Sequence, residues 1–80
     1  MYFVIENHTN IDGSINTETT VRQTFASGLS YYHERYSKMV MTELYRSVSL
    51  LLVDANLNKV EHATIKTQYK EQDAYEPSND

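Results

Sequence analysis

The residues most suggestive of chemistry lie together in residues 31–36, which contain three tyrosines, a histidine, a glutamate and an arginine. His33 and Glu34 are neighbours and could be imagined as an acid–base pair. Successive residues of a helix, however, point about 100° apart, so these two side chains cannot hold one proton between them. We therefore predict no catalytic role for this pair.

Other candidate catalytic residues are isolated in the same way. His62 follows Glu61, but neighbouring residues of a strand face opposite sides of a sheet. Ser47 and Ser49 lack the glycine-flanked turn that exposes a serine nucleophile. The chain has no cysteine, and its three histidines, of which His8 is the first, are far apart with no carboxylate at ligand spacing. We expect a protein that is not an enzyme and holds no metal or cofactor.

Tyr31 and Arg35 are the remaining candidates, as residues that bind rather than react. They are one helical turn apart, and both residue types are enriched at binding hot spots. We predict that they face solvent, which favours an ordinary solvated helix face; the alternative is that Tyr31 and Arg35 form a small interaction patch.

A helix over residues 25 to about 43 must position that patch. Thr24 is a good N-cap. The apolar side chains that follow fall within roughly 100° of arc, at Phe25, Leu29, Tyr32, Tyr36, Met39 and Val40. We predict one core built from this stripe and the third strand, comprising Phe25, Leu29, Tyr36, Leu50 and Leu52. Gly28 lies on the flank of the stripe, where a small residue allows close approach of another backbone.

Strand patterns occupy the rest of the chain. Residues 2–8 and 47–53 are the most apolar, and residues 59–69 alternate. Asp12-Gly13 marks the first turn and residues 54–58 a hairpin loop. Residues 17–23 are threonine-rich and favour an edge strand, although a helix starting at Asn16 is a rival interpretation.

These elements predict an α+β fold in the order β-β-α-β-β. The two most apolar strands belong in the middle of a four-stranded antiparallel sheet, which gives the order 2-1-3-4 with one amphipathic helix packed on one face. Residues 1–69 form the single domain. We expect residues 70–80, which are charged and small, to be an acidic, disordered tail.

One helix can cover only one face of such a sheet, yet residues 47–53 are apolar on both sides. A chain of 80 residues without disulfides also has a small core. We therefore predict a homodimer held through the second face of the sheet. The alternatives are that the loop around Ile11 and Ile15 covers that face, or that it binds a foreign protein.

The charge distribution and the N-terminal sequence argue against nucleic acid and membranes as partners. Most of the formal charge of −4 lies in the tail, since residues 1–69 carry six basic and seven acidic side chains. A near-neutral body argues against nucleic acid, whose phosphates require clustered cations. The N-terminus is apolar for only five residues, whereas a membrane span needs about 20. We expect a cytoplasmic protein with no membrane contact.

Residues 22–69 contain, in this order, Thr24-Phe25, Tyr32-His33, an apolar run that ends in Asp54, and a hairpin. This order resembles that of a group of small uncharacterised phage and prophage proteins. This sequence departs from the group by having Gly28 where alanine is usual and Leu57 where a turn glycine is usual. The resemblance implies the fold and a mobile-element origin, and it assigns no site residue.

The function predicted from these features is that of a non-enzymatic protein-interaction module, homodimeric, with an unidentified protein as its partner. The resemblance suggests an accessory or host-interaction factor of a phage or mobile element. The alternative is a small nucleic-acid-binding or regulatory protein.

Overall fold

The computed structural model describes residues 1–70, which form four strands and one helix. The predicted α+β class and the β-β-α-β-β order are confirmed, and the predicted tail falls, apart from Lys70, outside the described residues. The elements, in chain order, are β1 (Tyr2–Thr9), β2 (Ile15–Arg22), α1 (Phe25–Val40), β3 (Ser47–Asp54) and β4 (Lys59–Lys66).

The strands form one antiparallel sheet in the order β2-β1-β3-β4, as predicted. The two strands richest in apolar residues take the centre because their side chains are then enclosed by neighbours on both edges. Residues 17–23 lie almost entirely in β2, so the early-helix interpretation is wrong. The hydrogen-bonded partners available from β1 along all eight residues of β2 explain why the strand prevails.

An aspartate side chain accepts backbone hydrogen bonds in the turn of each hairpin. In the first turn, Asp12 accepts from the Ser14 amide at 2.9 Å. Gly13 adopts a φ of 92° in the first turn, a conformation that glycine reaches without steric cost. In the second turn, Asp54 accepts hydrogen bonds from the amides of Asn56 and Asn58, each at 2.9 Å. Leu57 lies between them with a φ of 65°.

The helix begins as predicted and ends earlier. The Thr24 hydroxyl accepts a hydrogen bond from the Ser27 amide at 3.1 Å, which satisfies one of the unpaired amides of the first turn. The helix ends at Val40 rather than near residue 43, because the Met41 and Thr42 amides bond to carbonyls only three residues back, which tightens the last turn.

The face that the helix buries is turned by about 50° from the centre of the predicted stripe. Tyr32 and Met39 of that stripe are buried, as is Gly28, whereas Phe25 and Tyr36 are 46% and 41% exposed. The prediction that Phe25 and Tyr36 belong to the core is therefore wrong. Two contacts hold the helix in its observed rotation: the close packing of Gly28 and an ion pair made by Arg35.

Gly28 allows the helix to lie directly on the sheet. A Cβ atom added there would stand 3.2 Å from the Tyr2 Cβ and 3.3 Å from the Leu52 Cδ1, both tighter than ordinary van der Waals contact. Close approach at Gly28 was predicted, but the neighbours are side chains of the sheet rather than another backbone. Leu50 and Leu52 are fully buried beneath the helix, as predicted, and Leu29 packs against them half-buried.

None of the helices in residues 1–70 is long and apolar enough to span a membrane.

Candidate functional site

A carboxylate lies at the centre of the sheet face that the helix covers. Alternate residues of β1 point to this face, so Val4, Glu6 and His8 all project toward the helix. Glu6 and His8 are each only 2% exposed. A carboxylate in such a position needs polar partners, because its charge has lost the surrounding water.

Arg35 of the helix and His8 of the same strand supply those partners. The Arg35 Nε donates to Glu6 Oε2 at 2.7 Å, and its Nη2 donates to Oε1 at 3.1 Å. The His8 Nε2 donates to Oε1 at 2.8 Å. Both carboxylate oxygens are therefore engaged. We call these three residues the Glu6 cluster.

Aromatic and sulfur contacts enclose the cluster. The His8 ring is stacked on the Tyr45 ring, with centroids 4.5 Å apart and planes inclined by 18°. The Arg35 Nη2 also lies 4.0 Å from the Met39 Sδ. Tyr45 belongs to the segment between the helix and β3, so the stack fastens this segment over the histidine.

The charges in the cluster stabilise one another. Burial by itself raises the pKa of the Glu6 carboxyl, but the hydrogen bonds and charges of Arg35 and His8 outweigh burial and lower this pKa below its ordinary value. The hydrogen bond to Glu6 raises the pKa of the Arg35 guanidinium. The pair is thus ionised at neutral pH.

The geometry of the Glu6 cluster does not suit general acid–base catalysis. A general base must reach the proton of a bound substrate with a free lone pair, whereas both Glu6 oxygens have protein partners and His8 is covered by Tyr45. The bidentate ion pair between Arg35 and Glu6 instead joins the helix to the centre of the sheet.

Sequence reasoning missed this cluster, although part of its signal was present. Glu6 and His8 are two residues apart in a predicted strand, and this spacing places them on the same face. The third member could not be recognised in the same way, because Arg35 lies 29 residues further along the chain.

The predicted Tyr31 and Arg35 patch is placed differently from expectation. Both side chains are half-buried instead of facing solvent, so that part of the prediction is wrong. The Tyr31 hydroxyl accepts a hydrogen bond from Thr20 at 3.4 Å, and the Arg22 guanidinium lies 4.6 Å from the centre of its ring. Tyr31 thus packs at the junction of the helix with β2, and Arg35 belongs to the Glu6 cluster.

The remaining candidates stay separate. His33, Glu34 and His62 are exposed, and neither histidine makes an ion pair with a carboxylate in the described part of the chain. Glu34 instead pairs with Lys38 at 3.6 Å, a surface contact along the helix. Residues 1–70 contain no group of three side chains able to hold a metal ion.

The second face of the sheet, which we call the open face, is not covered by any helix of residues 1–70. Its side chains form rows across the strands, and the registers define two apolar rows. One runs Val21–Phe3–Val53 and the next Thr19–Ile5–Leu51. Val21 is 47% exposed, whereas Phe3, Ile5 and Leu51 are half-buried by their neighbours.

The other half of the open face is polar but uncharged across β2, β1 and β3. Thr17 donates to the Asn7 Oδ1 at 2.6 Å, and the Asn7 Nδ2 donates to Ser49 at 3.2 Å. The loop near Ile11 leaves this face open, since Ile11 and Ile15 are 54% and 63% exposed.

Comparison of the chain with protein-family models, curated proteins and solved structures found no match in any of the three.

Proposed function

We propose that this protein is a non-enzymatic interaction module that works as a homodimer, with the open face of one copy packed against the open face of another. The observation that carries the proposal is the composition of that face. Its twelve positions on β2, β1 and β3 include no charged side chain, and its two adjoining apolar rows are not covered by the helix.

A second copy is the partner that suits such a face best. Burying a charge without a partner costs several kcal/mol, and two copies of this surface bring together no charge from the three strands concerned. Two sheets also pack face to face readily, with their strands about 30° apart. The same patch then serves both molecules about a two-fold axis.

The available area is sufficient for a specific contact. Four strands at about 4.8 Å spacing, each eight residues long at about 3.3 Å per residue, present about 500 Å². This area includes β4, whose Lys59 and Lys66 lie at the rim of the face. Two such faces bury on the order of 1,000 Å² together, which is the size of a weak, reversible interface. An affinity in the micromolar range is consistent with this size.

The closed geometry of the Glu6 cluster supports the non-enzymatic part of the proposal, because the buried acid–base residues have no access to a substrate. A role as a phage or mobile-element accessory factor rests on the sequence resemblance alone. Basic residues near the open face are confined to β4, at Lys59 and Lys66, which is too few to follow a nucleic-acid backbone.

Sedimentation equilibrium at micromolar concentration tests the proposal. The expected mass is twice the chain mass of 9.3 kDa. Leu51→Lys places a charge in the second apolar row and should give monomers, whereas Ser30→Lys makes the same charge change on the exposed side of the helix and should leave the dimer intact. Circular dichroism checks that each variant is folded.

A wild-type mass near 9.3 kDa would show that the protein is a monomer and would contradict the proposed homodimer. A dimer that survives Leu51→Lys with unchanged affinity would show that the open face is not the interface.

A further inference from the structure

The two edges of the sheet differ in how well they are protected against pairing with another strand. An unprotected edge presents unpaired amides and carbonyls, and proteins block such edges with lysines, prolines and bulges. The β4 edge has a lysine near each end, at Lys59 and Lys66, and a register shift opposite Leu52 and Val53. It is a protected edge.

The β2 edge has none of these features. It contains no lysine and no proline, and its eight residues pair with β1 without any register shift. Its side chains are largely open to solvent, since six of the eight residues of β2 are at least one-third exposed. Threonine and valine, which favour strands, make up half of it. It is a regular edge with its backbone available.

The charged side chains of β2 are arranged so that two antiparallel copies of the strand would place opposite charges next to each other. Glu18 and Arg22 are four residues apart and therefore share one face of the strand, on either side of Thr20. Two antiparallel copies of β2 aligned at Thr20 would place each Glu18 opposite the Arg22 of the other copy. Directly opposite side chains in such a pair lie about 5 Å apart at their Cβ atoms, close enough for an ion pair.

Glu18 is exposed and Arg22 half-buried, and the Glu18 charge acts on Arg35 of its own chain without forming an ion pair with it. Within residues 1–70, neither Glu18 nor Arg22 makes an ion pair. The Arg22 guanidinium lies over the Tyr31 ring, and its Nε is buried without any hydrogen-bond partner in that part of the chain. A buried, unpaired donor is costly, and a carboxylate arriving at the β2 edge would offer it an acceptor.

We propose that the β2 edge is a second self-association surface, at which two copies pair antiparallel about Thr20 and extend the two sheets into one of eight strands. The interface is distinct from the open face and does not depend on it. In this register Val21 lies opposite the partner copy's Thr19, so the apolar rows of the two open faces become continuous. Because the paired segment is short, we expect a dissociation constant on the order of 100 µM.

Reversal of the two charges tests the pairing. Glu18→Arg alone and Arg22→Glu alone each bring like charges together across the edge and should weaken association about tenfold or more. The double variant restores opposite charges and should associate like the parent. An equimolar mixture of the two single variants should also recover, because each Arg then meets a Glu of the other chain.

The measurement is sedimentation velocity from tens to hundreds of micromolar, with all four proteins carrying Leu51→Lys so that open-face contacts are not counted. The same four proteins are measured without Leu51→Lys, so the result does not depend on the folding of that variant. Recovery in both the double variant and the mixture supports the β2 pairing.

Equal association of all four proteins, or the absence of any association at these concentrations, would overturn the proposed β2 pairing. Any strand that binds the β2 edge would then come from a foreign protein. The charge pattern would still appear if the open-face dimer were wrong, so failures of the two proposals are distinguishable.

Discussion

Replacing Glu6 by glutamine tests the most unusual feature of the fold, a carboxylate buried at the centre of the sheet. Glu6→Gln keeps the shape of the side chain and removes its charge, which leaves the Arg35 guanidinium and His8 facing a neutral amide. Breaking a buried ion pair from one side costs about 3–5 kcal/mol. Arg35 is 20% exposed, so water offsets part of this cost and we expect about 2–4 kcal/mol.

Such a loss is large for this chain, because a domain of 80 residues has a free energy of unfolding of about 4–12 kcal/mol. Urea denaturation at neutral pH, followed by circular dichroism, measures it. Glu34→Gln is the matched control, because the Glu34 side chain is 58% exposed and pairs with Lys38 at the surface. We expect that control to change the free energy of unfolding by less than about 0.5 kcal/mol.

The pH dependence provides a second readout of the same charge. The pKa of Glu6 in the folded protein lies below its ordinary value of 4.5, so the unfolded chain binds the proton more readily. The stability that Glu6 contributes is therefore present above pH 4.5 and is lost as the pH falls through the lowered value. The Glu6→Gln variant should lack this part of the acid-induced loss.

The reasoning would be refuted by a Glu6→Gln variant whose free energy of unfolding lies within about 1 kcal/mol of wild type at neutral pH. An acid-induced loss of the same slope in the variant and the wild type would likewise show that the Glu6 pKa is not lowered.

Two further substitutions test the core and the second hairpin. Leu50→Ala removes a fully buried side chain beneath the helix and should cost about 2–5 kcal/mol in urea denaturation, whereas Leu44→Ala, at a site 71% exposed, should cost less than about 0.5 kcal/mol. Leu57→Gly should raise the melting temperature, because Leu57 has a positive φ of 65° and glycine adopts this conformation without strain. The strain removed, about 1 kcal/mol or more, should exceed the cost of the greater conformational entropy of glycine in the unfolded chain. A fall in the melting temperature as large as that of Ala55→Gly, in the same loop, would contradict it.

The elements and their order were predictable because their causes are local. The threonine cap, the turn at Gly13 and the apolar run of β3 each act within a few residues. The sheet order followed from the same patterns, since the most apolar strands are stable only between two neighbours. Local preference alone left β2 open between strand and helix, and pairing with β1 decided it.

The rotation of the helix and the Glu6 cluster depended on the tertiary structure. The hydrophobic stripe predicts burial from the polarity of the side chains alone. On that basis Phe25 and Tyr36 were predicted to be buried and Arg35 to be exposed. Once β1 carries an ionised glutamate at its centre, the charge requires a partner, and Arg35 can reach it only if the helix turns toward β2. The alternation of β1 was already visible in the amino-acid sequence as Glu6 and His8 on one face. Which of the distant cations would neutralise Glu6 was decided by packing, because an ion pair across 29 residues leaves no periodic trace in the chain.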